Sequence, residues 1–394
     1  MTPHRPDRRT VVKGALAITG AALVNPRALA ADAAAPAKEP AAKRIKVGVI
    51  GCGSVARSYF PHLAACPFVE LVSTCDRKGE RARRLSRWWK VPNRFESIEQ
   101  LLAGPAFDLL VNLTDMQEHE AINRAAVAAG KHVWSEKPIA STLAAGQEIL
   151  ADAKKRGLRV WGAPTVVNSP QFRFMKKTLD AGTLGRVAAA QACYGHTGPD
   201  WSAFFYEAGG GSMPDLAVYS LSTLTGLLGP AKSVVAMTSV VTPERTVADK
   251  GRVKVAAEDN AMILLEHAGG VISHVQSGFN YFTPAEHDET RQDHHTLAVY
   301  GHAGAMRLAG YDWAPHGVDL STETEPATKR HAGEKHDYVW QQGASLAAEC
   351  LATGKEPPFT PEHALHVVEI LTAARESQAT GRRVALTSTF ALVK

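Results

Sequence analysis

Cysteine is scarce and its pattern is unproductive: five residues, Cys52, Cys66, Cys75, Cys193 and Cys350, an odd number with no Cys-x-x-Cys spacing. No disulfide framework is expected from that set. Long apolar runs are missing too. The mildly apolar stretch from Gly14 to Val24 falls far short of the roughly 20 residues that span a bilayer, so no membrane span is expected. An excess of one charge is missing from the body of the chain. The net charge is +5, but Arg5, Arg8, Arg9, Lys13 and Arg27 against Asp7 put +4 of it in the first 30 residues. No polyanion partner follows from the near-neutral remainder, and no nucleic acid is expected. Neither a Gly-x-Ser-x-Gly elbow nor a P-loop occurs, and there is no internal repeat. What remains is ordinary for a globular enzyme, with 45% hydrophobic and 21% charged residues in 394. That length can bury two cores.

The first 30 residues read as an export signal. Asp-Arg-Arg-Thr-Val-Val-Lys (7–13) resembles a twin-arginine motif, with Asp7 where Ser or Thr is usual, and Ala28-Leu29-Ala30 after the apolar stretch is a cleavage site. Residues 31–42, mostly Ala with Pro36 and Pro40, read as a flexible linker. The expected location is periplasmic or otherwise outside the cytoplasm. Twin-arginine signals carry proteins already folded, often with a cofactor in place, and folding in a reducing cytoplasm leaves the cysteines as thiols.

The strongest local signal runs from Lys46 to Ala56. Ile45, Val47, Val49 and Ile50 have the apolar density of a strand buried on both faces. Gly51 and Gly53 allow a sharp turn and close approach to a pyrophosphate, and Ala56 lets the next helix pack close to that strand. Ser54 and Val55 open that helix, whose amides supply an anion site. Asp76 follows Ala56 by 20 residues at the end of a second apolar strand, Val69 to Cys75, where a carboxylate accepts ribose hydroxyls. These features predict a dinucleotide site. Asp76 argues for NAD. Arg77 directly after it can neutralise a 2′-phosphate, so NADP stays open.

Strands at Leu109–Thr114, His132–Ser135 and Arg159–Gly162 alternate with helices over about 118–129 and 142–156, and a basic helix, Arg77–Trp89, reads as a solvated face. The expected fold is α/β, a doubly wound parallel Rossmann sheet over residues 43–163. From 164 to 394 a second domain is expected, with strands at Val187–Tyr194, Ser233–Val241, Ala261–Glu266, Gly270–Ser277 and Thr296–Tyr300, so its sheet is open and mostly antiparallel. Thr360-Pro361-Glu362 caps a last helix over about 361–377.

Two constellations carry chemistry. Glu136-Lys137-Pro138 ends a parallel strand, where open α/β sheets bind ligands. A lysine there can hold a substrate hydroxyl and help remove its proton. Gly209-Gly210-Gly211-Ser212 precedes a helix from about Met213 to Leu228 that Ser212 is expected to cap. Asp215 and Tyr219, four apart, then share one face. They make a proton relay and sugar-orienting pair, or equally a dipole-supporting carboxylate and a core ring. His196, Trp201 and Phe205 flank the glycine run and are weaker candidates for the wall of a sugar site. His287, Asp288, His294, His295 and His302 form the densest histidine cluster. Their spacing matches no standard ligand pattern, so no metal is expected, and the segment is expected to precede an edge strand.

VGVIGCGSVA, Asp76, AGKHVWSEKPIA (129–140) and GGGSMPDLAVY, in that order, resemble the Gfo/Idh/MocA family of oxidoreductases, the family of glucose–fructose oxidoreductase and inositol dehydrogenase. The resemblance implies an N-terminal Rossmann domain for NAD or NADP, and a C-terminal α/β domain whose open sheet face often makes the oligomer contact, here a homodimer or homotetramer. It implies Lys137 as the catalytic lysine, Asp215 as the substrate-binding aspartate and Tyr219 in place of the usual histidine. Thr114 and His119 sit where the family has a Thr-Pro-x-x-x-His loop, with Asp115 replacing the proline, and the Lys137–Pro138 bond is expected to be cis.

The expected function is oxidation of a sugar or polyol hydroxyl, with Lys137 and Tyr219 managing its proton, Asp215 positioning the ring and the cofactor held through turnover outside the cytoplasm. A redox-neutral variant, transient oxidation followed by β-elimination of a glycoside, needs a further base, for which a histidine in 287–295 is the candidate. A non-catalytic sugar-binding protein on the same fold is the third possibility.

Overall fold

A computed structural model describes residues 43–283 and 294–391. Six strands make the first sheet: β1 (Ile45–Ile50), β2 (Val69–Cys75), β3 (Asn93–Phe95), β4 (Leu109–Asn112), β5 (His132–Ser135) and β6 (Val160–Gly162). All pairs are parallel, in the order β3-β2-β1-β4-β5-β6. That order reverses direction between β1 and β4, which opens a crevice at the carboxyl ends of those two strands. β1 sits in the middle because it can: Val47 and Val49 are fully buried and Ile45 and Ile50 nearly so. The helices between strands are α1 (Ser54–Ala65), α2 (Gly79–Trp89), α3 (Ile98–Ala103), α4 (His119–Ala128) and α5 (Leu143–Lys155). Two of them begin at a side-chain cap, the Ser97 hydroxyl accepting from Gln100 N and the Thr142 hydroxyl from Ala145 N.

After α6 (Pro170–Asp180) comes a second sheet of nine strands. Five match the expected positions: β7 (Val187–Gly195), β8 (Ser233–Ser239), β11 (Asn260–Glu266), β12 (Ile272–Gly278) and β13 (His295–Gly301). β9 (Glu244–Val247) and β10 (Gly251–Lys254) form a separate hairpin. β14 (Gly304–Tyr311), β15 (Ala314–Thr322), β16 (Lys329–His331) and β17 (Val384–Ala385) complete the sheet. The order is β16-β15-β14-β13-β7-β12-β11-β8-β17, antiparallel throughout except for β7 beside β12. One expectation is corrected here. β13 lies between β14 and β7 in the sheet interior, not at an edge, because the unanticipated β14–β16 meander covers its outer side.

The helices α7 (Val218–Leu228) and α9 (Pro361–Thr380) cover one face of this sheet. Thr360 caps α9 by accepting from His363 N. Between them in sequence, α8 (Gly343–Thr353) returns to the first sheet and packs against α1 and β1. Phe359 meets the Trp134 ring at 5.6 Å, and Leu365 fills the space beside Gly146. Packing therefore ties α8 and α9 to both sheets. The other sheet face is open, and Val235, Met237, Met262, Leu264 and Ile272 are exposed on it. All five cysteines are free thiols. Among the described residues no helix is long and apolar enough to cross a membrane, and no group of three or more His, Cys, Asp or Glu could hold a metal ion. The expected signal peptide and linker, and His287 and Asp288, lie outside the described residues.

Candidate active site

The crevice has two connected parts along the carboxyl edge of the first sheet. A pocket of about 260 Å³ is walled by Gly51, Asp76, Arg77, Ile98, Leu113 and Asp115. A cleft of about 630 Å³ runs on from Gly53, Ser54 and Val55 past Thr114 and His119 to Lys137, Asp215 and Tyr219, with Trp201, Phe204 and Phe205 opposite. The residues predicted from the fingerprint and from the two constellations, spread over more than 160 residues of sequence from Gly53 to Tyr219, therefore share one wall.

The glycine turn has the form a dinucleotide needs. Gly51 has φ +87°, and a side chain there would collide with the Leu113 carbonyl at 2.4 Å. Gly53 differs: a Cβ would meet only the Arg81 guanidinium, at 3.8 Å, so the missing side chain leaves space for a ligand. α1 starts at Gly53 without a side-chain cap, so its first amides are open to an anion. Ala56 is fully buried under β1. Asp76 is held from behind, one carboxylate oxygen accepting from Cys52 N and the other from Lys78 N, both at 2.8 Å. These residues fit NAD: an uncapped amide cradle for the pyrophosphate, and a fixed carboxylate for the adenosine ribose.

At the other end, Lys137 Nζ donates to Asp215 twice, to Oδ1 at 2.8 Å and to the main-chain carbonyl at 2.7 Å. The ammonium also lies 5.0 Å from the centre of the Tyr219 ring. The pair is largely buried, with side chains 10% and 14% exposed. β5 delivers Lys137, and Lys137–Pro138 is cis as expected. Glu136 lines the cleft but is engaged inside the protein: Tyr59 donates to one oxygen at 2.6 Å and Lys137 N to the other at 3.0 Å. Burial, then the Glu136 charge, raises the Tyr59 pKa well above its usual value. His119 is buried between two carbonyls, Pro138 O at 2.9 Å from Nδ1 and Thr114 O at 3.0 Å from Nε2. It pins the loop that carries Thr114, and burial lowers its pKa.

The expectation that Ser212 caps the helix is corrected. Ser212 has helical dihedrals and its hydroxyl turns to Ser277. The chain forms a π-helical turn, Met213–Ala217, before α7. Glu258 provides the cap: its main-chain oxygen accepts from Ser212 N at 2.9 Å and its carboxylate from Met213 N at 3.1 Å. Gly211 carries φ +109°, and a Cβ there would strike that carboxylate. Tyr219 is buried, and burial followed by the Glu136 charge raises its pKa well above the usual value.

Other candidates divide. Trp201 and Phe205 line the cleft, their rings in edge contact at 5.3 Å. His196 does not, because its ring is held elsewhere: Nδ1 accepts from Gly198 N at 3.0 Å and the ring stacks on Phe279 at 5.6 Å. His295 pairs with Asp319 at 2.6 Å and His294 packs on Tyr311, both away from the cleft. Reading α2 as a solvated face missed Arg81 and Arg84, which line the cleft with Arg57. Gln117, whose amide reaches across to Phe204 O at 2.8 Å, and Trp340 were also missed. Asp115, in place of the family's proline, pairs with Arg77 at 2.9 Å.

Fold, glycine cradle and buried lysine–aspartate pair together define a nicotinamide-dependent oxidoreductase. Residues 45–163 match the GFO/IDH/MocA model described as an oxidoreductase family, NAD-binding Rossmann fold, and residues 172–307 match a C-terminal domain model of the same family. The chain belongs to that family. A trans-1,2-dihydrobenzene-1,2-diol dehydrogenase of Sus scrofa is 26% identical over 329 residues, 80% of this chain and 91% of the relative. A 1,5-anhydro-D-fructose reductase of Ensifer adhaerens is 28% identical over 238 residues, 59% of this chain and 68% of the relative. The crystal structure of an aldose–aldose oxidoreductase from Caulobacter crescentus with glycerol shares the fold, with a TM-score of 0.73 at 21% identity, covering 87% of this chain and 100% of that one.

Proposed function

We propose that the protein is an exported, NAD-dependent oxidoreductase that acts on a secondary hydroxyl of a sugar or polyol and keeps its cofactor through turnover. The supporting observation is the double contact of Lys137 with Asp215 beside Tyr219, at the nicotinamide end of a cleft that begins at the glycine cradle. Bound NAD would supply a ring that takes or returns a hydride. Lys137 holds the substrate hydroxyl and, in its amine form, accepts its proton to become the ammonium, Asp215 fixes the lysine and orients the sugar, and Tyr219, kept protonated by burial, donates a hydrogen bond to the same oxygen. Trp201 and Phe205 give the ring an apolar wall. The names of relatives that act on anhydrofructose, aldoses and a cyclic diol support this substrate class.

Asp76 and the engaged Arg77 favour NAD over NADP. The twin-arginine-like leader supports export, and Arg81 over the open Gly53 supports a retained cofactor. The exposed apolar side chains of the second sheet support self-association as a homodimer or homotetramer, to be checked by light scattering on the wild type and Met237→Asp. The elimination variant keeps no support from His294 or His295, neither of which lines the cleft.

The test is purification of the mature protein, identification of the nucleotide that accompanies it, and near-ultraviolet absorbance as sugars are added. Growth of the reduced-nicotinamide band supports the reading. Glycoside cleavage without that band favours elimination, and sugar binding without either favours a binding protein.

A further inference from the structure

A second cavity, of about 600 Å³, adjoins the catalytic cleft and shares Trp340 as a common wall. Its size falls within the roughly 300–1,000 Å³ of small-molecule sites. Among its lining residues are Trp313, His316, Lys335, His336 and Tyr338. We infer that this cavity binds a second sugar ring, so that the substrate is a glycoside or oligosaccharide with one ring at Lys137 and the next between Trp313 and Trp340. The inference rests on the reading of the cleft as a sugar oxidoreductase site.

Both indoles are fixed from behind and half-buried. Trp313 Nε1 donates to the Tyr194 hydroxyl at 3.0 Å, and its ring stacks on Tyr311 with centroids 5.4 Å apart and planes 5° from parallel. Trp340 stands edge-on to Tyr59 at 5.7 Å, and its carbonyl accepts from the Thr165 hydroxyl at 2.9 Å. Rigid aromatic surface with little conformational entropy to lose suits the apolar C–H face of a pyranose. The polar groups suit its hydroxyls. His336 Nδ1 is buried without a hydrogen-bond partner, while Nε2 lies 3.4 Å from Pro315 O. Lys335 adds a donor and Glu334, next to it, an acceptor. A single lysine beside a carboxylate does not make a phosphate site, which argues against a nucleotide-linked or phosphorylated second unit. Tyr338 adds a phenol to the lining of the second cavity.

The experiment compares monosaccharides with their disaccharides on the holoenzyme: glucose with cellobiose and maltose, and galactose with lactose. For at least one pair, kcat/KM for the disaccharide should exceed that of the monosaccharide about tenfold or more. That ratio should fall toward one in Trp313→Ala and in His336→Ala. The histidine variant leaves the indole packing intact and keeps the test readable if the tryptophan variant fails to fold. Monosaccharide oxidation with no disaccharide advantage, or an advantage that survives both variants, overturns the second ring and leaves the function standing. If no sugar of either size reduces the cofactor, the reading of the cleft itself fails, and the inference with it.

Discussion

Asp115 holds Arg77 at 2.9 Å across the mouth of the adenosine pocket. Burial raises the Asp115 pKa, and the guanidinium charges of Arg77 and Arg81 oppose that rise. The residue that replaces the family's proline therefore occupies the cation that would meet a 2′-phosphate.

Breaking that pair should change cofactor choice. An exposed ion pair of this kind contributes about 0–1 kcal/mol, so freeing Arg77 in Asp115→Ala should raise the NADP to NAD ratio of kcat/KM by up to about fivefold. Steady-state kinetics with both cofactors measures it. An unchanged ratio would mean that Arg77 does not face the 2′ position.

Lys137 and Tyr219 should separate in their pH behaviour. Lys137→Ala removes the proton acceptor and should lower kcat by about 10²–10⁴-fold while NAD still binds. Burial keeps the Tyr219 phenol protonated across the working range, so it acts as a donor and not as the titrating base. Tyr219→Phe should lower kcat and leave the acidic limb of the pH–rate profile, where the base ionises, in place. A shift of that limb would make the phenol the base.

Much of this was legible in the sequence because a strand buried on both faces shows as an uninterrupted apolar run, as at Val47 to Ile50. Gly51, Gly53 and Asp76 follow at distances set by one βαβ unit. The Lys137–Asp215 pair was legible only as two separate motifs, since 78 residues and a sheet-to-sheet contact separate them. The π-turn was invisible because its cap, Glu258, is 45 residues away. Arg81 was missed because a basic amphipathic helix looks the same whether its arginines face water or a cleft. Trp313 and Trp340 follow no periodic pattern, and only the β14–β15 hairpin and the return of α8 bring them to one wall.

Glu258 should act on catalysis through Asp215. Its carboxylate and carbonyl fix two successive amides of the turn that presents Asp215 to Lys137. Arg375, which donates to Gly210 O at 3.3 Å, supplies the neighbouring positive charge. Losing the buried acceptor should cost about 1–3 kcal/mol of stability. In Glu258→Ala, kcat should fall more than KM rises, and Glu258→Gln, which keeps an acceptor oxygen, should restore most of it. Equal losses in both variants would reduce Glu258 to a purely structural role.

Acid sensitivity should come from the histidines of α9. The Ala231 amide donates to His366 Nε2 at 2.9 Å, so the ring proton sits on Nδ1 and is donated to the Ser388 hydroxyl at 2.8 Å. His363 is buried against the Thr225 hydroxyl at 2.8 Å. Burial lowers both, to about 4 for His366 and about 3 for His363, with the Glu369 charge opposing the shift at His366. Folding thus favours the neutral rings and the unfolded chain binds the extra protons. Their contribution is complete above the unfolded value of 6.5 and is lost as pH falls from there toward 4 and 3. For His366 that loss is about 3 kcal/mol. Denaturant titrations between pH 7 and pH 4 should show stability falling with acidity in the wild type. His366→Gln should be less stable near neutrality and should lose less on acidification. Parallel curves for the two proteins would place the acid sensitivity elsewhere.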